Sequence, residues 1–162
     1  MTGKVALKAV LSTTQTMLPM FFAELTDDDL QKPPVPGANN IAWQMGHLIA
    51  SEGSLGAQLG ASYPELPEPL KALSTGTSSK TNPDGGRLSK DDYLSWFNRV
   101  RKATIAAVDN LSEADFDKPT TGPMKDFAPT VGDLVVLIGN HTMMHVGQFS
   151  VVRRSLGKPV LF

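Results

Sequence analysis

Apolar positions recur along most of this chain at alternating steps of three and four, the period of a helix that buries one face. From about Lys4 to Glu24 the stripe is Leu7, Leu11, Thr14, Leu18, Phe21 and Leu25, with Pro19 inside it as an expected kink. A second segment, N-capped by Asn39 or Asn40, carries Ile41, Met45, Leu48, Leu55 and Leu59 and fades by Gly60. A third opens on Ser89-Lys90-Asp91-Asp92 and shows Tyr93, Trp96, Val100, Thr104, Ala107 and Leu111. The fourth opens on a similar cap, Thr130-Val131-Gly132-Asp133, and reaches Leu156, where Gly157 and Pro159 stop it. No window alternates with period two for long enough to build a sheet. The pattern predicts an all-α fold, a single four-helix-bundle domain over residues 1–162.

The connections suggest a topology. An antiparallel helix pair needs only a short link, whereas a parallel pair needs one that returns the length of the bundle, roughly 30 Å for helices of ~20 residues. Ala61–Leu88, rich in Pro, Gly, Ser and Thr, alone has ample slack for that. Helices 2 and 3 are therefore expected to run parallel, giving an up-down-down-up order with a long crossover between them. The Pro64–Leu73 portion of that crossover is expected to form a short helix. Leu25 to Pro33 resembles Leu111 to Pro119 position by position, and each copy follows one helix and precedes another. The chain thus reads as two helix–linker–helix halves.

Composition narrows the function classes. Hydrophobic residues make up 41% and charged residues 19% of the 162, which excludes intrinsic disorder. A net charge of −1 gives no basic footprint, so neither nucleic acid nor an anionic membrane is expected as a partner. Cysteine is absent, which removes disulfides, thiolate ligands and a catalytic thiol, and fits a cytoplasmic protein. No apolar run approaches the ~18 residues of a membrane span. The hydroxyl-rich Ser12–Thr16 breaks what would otherwise be a secretory core, so no signal peptide is expected.

The chain has three histidines, and they are the candidate chemistry. His141 and His145 stand at i, i+4 on helix 4, where two imidazoles can converge on one ion. They fall in the seam Leu134, Ile138, His141, His145, Gln148, Val152, where apolar residues are expected. Polar groups there need hydrogen bonds or a metal. The spacing also suits a core pair satisfied by ordinary hydrogen bonds. His47 flanks the apolar stripe of helix 2, on a polar side shared with Gln44, Ser51, Ser54 and Gln58. By itself it reads equally as a third ligand or as a half-exposed lone histidine.

Asn40-Ile41-Ala42-Trp43-Gln44-Met45-Gly46-His47-Leu48, taken with Asn140-His141-Thr142-Met143-Met144-His145-Val146-Gly147-Gln148, resembles the DinB/YfiT-like superfamily. The likeness extends to Thr130–Leu134 and to Arg154–Pro159. It implies a four-helix bundle with a divalent ion, zinc or nickel, held by His47, His141 and His145. It also implies a small-molecule substrate, with some members transferring low-molecular-weight thiols to electrophiles or isomerising substrates with thiol help; a water activated by the ion would instead make the chain a hydrolase. Homodimers are frequent in the family, and adjacent Phe21 and Phe22, which are not expected to share one core, point the same way. Gln148 is a candidate to orient a ligand from behind the metal. Glu52 is the nearest carboxylate on helix 2, but five residues from His47 it should point elsewhere. Arg153 and Arg154 could meet an acidic cofactor, although cations are favourable near any helix C-terminus. The alternatives are a metal-stabilised, non-catalytic bundle acting as a binding or stress-response module, and a plain helical interaction module without metal.

Overall fold

The computed structural model describes residues 1–71, 73 and 88–161. Four long helices appear at the expected places: α1 (Gly3–Phe22), α2 (Ile41–Gly56), α4 (Lys90–Asn110) and α5 (Val131–Ser155). A short α3 (Glu68–Lys71) lies in the stretch expected to be helical after Pro64. Residues 72 and 74–87 of the Ser/Thr-rich crossover lie outside the described residues.

Local chemistry explains the boundaries. Asn40, not Asn39, caps α2, its Oδ1 accepting from the Trp43 N–H at 2.8 Å. Ser89 caps α4, and Thr130 with Asp133 forms a reciprocal capping box on α5. Gly157 takes the left-handed conformation beyond α5 at φ 68°, which favours glycine. The two similar linkers also fold alike. Each makes a 3₁₀ turn, Asp29–Gln31 and Glu113–Asp117, closed by an Asp carboxylate on an upstream N–H. Each turn plugs the core with one apolar side chain, Leu30 or Phe116.

Helix α1 packs against α4 and α5, and so does α2, leaving α1 and α2 on one diagonal and α4 and α5 on the other. Directions follow from the contacts. Lys8 meets Asp109 and Gln15 meets Asn98, so α1 and α4 are antiparallel. Val10 lies against Gly139 and Phe22 against Phe149, so α1 and α5 are parallel. Gln44 meets His145 while Leu55 approaches Leu137, so α2 and α5 are antiparallel. Helices α2 and α4 therefore run parallel, the up-down-down-up order expected from the long crossover.

The core has two apolar clusters. One gathers Leu18, Phe22, Met45, Tyr93, Phe97, Phe149 and Val152, and the other Leu11, Leu59, Val108, Leu134 and Ile138. Between them lies a buried polar layer of Thr14, Glu52, Arg101, Thr104 and Thr142, one or two residues from each long helix. Arg101 is fully buried and forms a two-pronged bond to Glu52, Nε to Oε1 at 2.7 Å and Nη2 to Oε2 at 2.8 Å. It also donates to the Leu11 carbonyl and to Thr14 and Thr142. The Thr104 hydroxyl donates to Glu52 Oε1, which leaves Tyr63 to donate to Thr104.

Two expectations are corrected. Phe97, not Trp96, occupies the core stripe of α4; Trp96 is half-buried with the Arg99 guanidinium 4.0 Å above its ring. Phe21 and Phe22 both point inward, at 6% and 0% exposure. Phe22 packs edge-on to Phe149, and Phe21 joins the same buried cluster, against which Met17 and, from the C-terminal tail, Leu161 pack. The apolar surplus that this pair offered as support for a homodimer does not exist.

Candidate metal centre

The three histidines converge beside the buried polar layer. His47 comes from the middle of α2, and His141 and His145 from successive turns of α5. Ring centroids lie 5.1 Å apart for His47 and His141, 5.6 Å for His47 and His145, and 4.9 Å for His141 and His145. One nitrogen from each ring lies within 4.8 Å of the others. His145 Nε2 and His141 Nε2 are 3.2 Å apart, close to the ~3.3 Å edge between two nitrogens each ~2.0–2.1 Å from a tetrahedral zinc ion. Among the described residues, no Asp or Glu joins the group.

Each ring is held by its own neighbours. His145 is 5% exposed, and its Nδ1 is 2.7 Å from Gln44 Oε1 on α2. Trp43, one turn before His47, stacks on that ring at 4.9 Å with an interplanar angle of 11°. Ser51, one turn after it, brings its hydroxyl to 3.3 Å from His47 Nδ1. The His47 ring also hydrogen-bonds the backbone of Leu73, just beyond α3, a contact that favours the protonated ring.

Burial, more than any neighbour, decides the charge. Burial and then the nearby His47 push His141 down to about 4. Burial and then the other two rings push His145 down to about 3. His47 is also lowered by burial, with Leu73 opposing. At neutral pH all three rings are therefore uncharged, the state in which imidazole ligates metal. The donor set, its spacing and its protonation all fit a divalent ion.

Among the described residues, the site is open on one side. A cavity of about 300 Å³ runs beside His47 and His141, walled by Ser51, Ser54, Leu55, Leu137 and the Pro123–Met124 turn before α5. No charged side chain among the described residues lines it.

The other sequence candidates lie elsewhere. Gln148, three residues past His145, is half-buried, and the glutamine that hydrogen-bonds the triad is Gln44. Glu52 does point away, into the Arg101 network. Arg153 is buried at the far end of α5, where it pairs with Glu24 and donates to the carbonyls of Phe21 and Pro159, and Arg154 is exposed next to it. Neither arginine reaches the histidines. Sequence reasoning missed the partners Gln44, Trp43 and Leu73. The signal for Gln44 was present, since it shares the polar side of α2 with His47.

The sequence pattern of the DinB superfamily matches residues 11–149, a span that contains all three histidines. The chain belongs to the DinB superfamily. No curated protein sequence matches it. Among the solved structures that share the fold are three bacterial proteins. YfiT from Bacillus subtilis has a TM-score of 0.71 at 18% identity, covering 96% of this chain and 89% of its own, and is described as having an unusual four-helix bundle topology. A conserved protein from Enterococcus faecalis has a TM-score of 0.67 at 14% identity, covering 98% and 99%. A DinB-like protein from Bacillus cereus has a TM-score of 0.62 at 20% identity, covering 94% and 91%. As a member of the DinB superfamily, the chain has the diagonal, up-down-down-up bundle and a three-histidine cluster between α2 and α5.

Proposed function

We propose that this protein is a metal-dependent hydrolase acting on a small, uncharged molecule, with His47, His141 and His145 holding a zinc or nickel ion. The observation that carries the reading is the opening of the triad onto the cavity beside His47 and His141. A purely structural ion would be enclosed by four protein ligands, whereas three neutral imidazoles and an open side suit catalysis. The ion would supply Lewis acidity and lower the pKa of a bound water toward neutrality. The chain's own residues do the rest. Ser51 and Ser54 offer hydroxyls to orient a polar group of the substrate. Leu55, Leu137 and Met124 exclude bulk water and receive its apolar part. YfiT, which shares the fold, is described as a probable metal-dependent hydrolase. A thiol-dependent transferase has less support, because thiol cofactors that carry carboxylates need cations, and among the described residues none lines the cavity.

The test is metal analysis of protein purified without a histidine tag, followed by a screen of neutral esters, amides and lactones. One ion per chain and hydrolysis that chelator abolishes are expected, with both lost in His141→Ala. Stoichiometric metal in the triple-alanine variant of the histidines, or turnover that depends on an added thiol, would overturn the reading.

A further inference from the structure

We propose that the main chain at Asn39, acting through Gln44, sets the tautomer of His145 and thereby makes Nε2 the ligating atom. This rests on the three-histidine reading above. A glutamine amide can in principle be turned either way, and which end faces the histidine decides which ring nitrogen carries the proton. Here one end of the Gln44 amide is 2.8 Å from the Asn39 carbonyl. A carbonyl only accepts, so that end is the NH₂ group. The other end is then the oxygen, 2.7 Å from His145 Nδ1. An amide oxygen also only accepts, so Nδ1 bears the proton. A neutral imidazole has one N–H, and the free lone pair falls on Nε2, the atom 3.2 Å from His141 Nε2.

The orientation is enforced. Turning the amide over would set its oxygen against the Asn39 carbonyl, acceptor against acceptor, at a side chain only 1% exposed. The helix cap suits the Asn39 carbonyl to this role. In a continuing helix it would accept from the Trp43 N–H, four residues on. The Asn40 side chain takes that N–H instead, at 2.8 Å. The cap of α2 and the tautomer of a histidine on α5 are thus parts of one chain of hydrogen bonds. Gln44 is a positioning residue, acting through His145.

The tautomer is read directly by long-range ¹H–¹⁵N correlation on metal-free protein labelled at histidine, at pH 7.5. His145 should appear as the Nδ1–H form. Gln44→Met removes the acceptor, so the Nε2–H form should gain population and zinc affinity, measured by chelator competition, should fall 10- to 100-fold. Gln44→Glu can serve both ends only as the neutral acid, its C=O accepting from Nδ1 and its O–H donating to the Asn39 carbonyl, and in that form should restore the tautomer and zinc affinity to within a few-fold of the parent. An Nε2–H His145 in the parent, or unchanged zinc affinity in Gln44→Met, overturns the relay. A parent that holds the Nδ1–H form yet binds no zinc overturns instead the three-histidine reading, and with it the relay's role in ligation.

Discussion

At the scale of single residues, the least replaceable side chain outside the histidine cluster is Arg101. It is fully buried, and its partners come from all four long helices: Leu11 and Thr14 on α1, Glu52 on α2, Phe97 on its own helix and Thr142 on α5. Taking such a pair out of water is expensive, so its presence alone says little about net stability. Removing one partner says more, because the other is left charged and buried. Arg101→Met should cost about 3–5 kcal/mol in urea unfolding. Combining it with Glu52→Leu should recover a substantial part of that loss, because no orphaned carboxylate then remains. A double variant as unstable as the sum of the singles would show that the two residues act independently.

At the scale of elements, close approach matters more than helix propensity. A Cβ at Gly56 would lie 1.7 Å from the Tyr63 hydroxyl and 2.7 Å from Cζ, on a ring that is partly buried and bonded to Thr104. A Cβ at Gly139 would meet a Val10 methyl at 2.3 Å. Both clashes demand movement, but the half-buried Val10 side chain can turn, whereas Tyr63 cannot move without breaking into the polar layer. Gly56→Ala is therefore expected to destabilise by ~1–3 kcal/mol despite the better helix propensity of alanine. Gly139→Ala should cost less. Thermal melts of the two variants against the parent check the order.

For the whole molecule, the histidine cluster ties α2 to α5 and makes stability depend on pH and metal. Folded His141 and His145 titrate at about 4 and about 3, well below the ordinary 6.5 that they regain on unfolding. The unfolded chain then binds more protons than the folded one. Their contribution is fully present above pH ~6.5 and is lost as pH falls toward the folded values. Asp29 and Glu113, whose carboxyls are also lowered, act only below their ordinary 3.8 and 4.5. The window between about pH 6.5 and 5 therefore belongs to the histidines. In chelator, the urea midpoint of the parent should drop between pH 7.5 and 5.0, and the drop should shrink in a variant with His141 and His145 both replaced by Gln. Zinc at a thousandfold excess over its Kd should add about 4 kcal/mol at neutral pH, seen as a higher Tm that His141→Ala abolishes.

The helices, their caps, the paired linkers and the parallel course of α2 and α4 were all legible along the chain. Each follows from short-range rules: a 3.6-residue period, a side chain capping three residues ahead, or a linker too long to be a tight turn. The histidine spacing on α5 was legible for the same reason. Residues brought together by packing were not. His47 is neither more nor less apolar in its setting than a surface histidine would be, and only the antiparallel approach of α5 puts it 5.1 Å from His141. Phe21 and Phe22 look incompatible on one helix, yet both are buried in one cluster, against which Leu161 of the C-terminal tail packs. Arg101 reads as a solvated charge until Glu52, Thr14 and Thr142 arrive from three other helices. Local sequence determined which segments are helices and where they stop. Beyond His145, which the period of its helix had already placed in the seam, tertiary structure decided which polar groups would be buried, because burial depends on what the other helices bring.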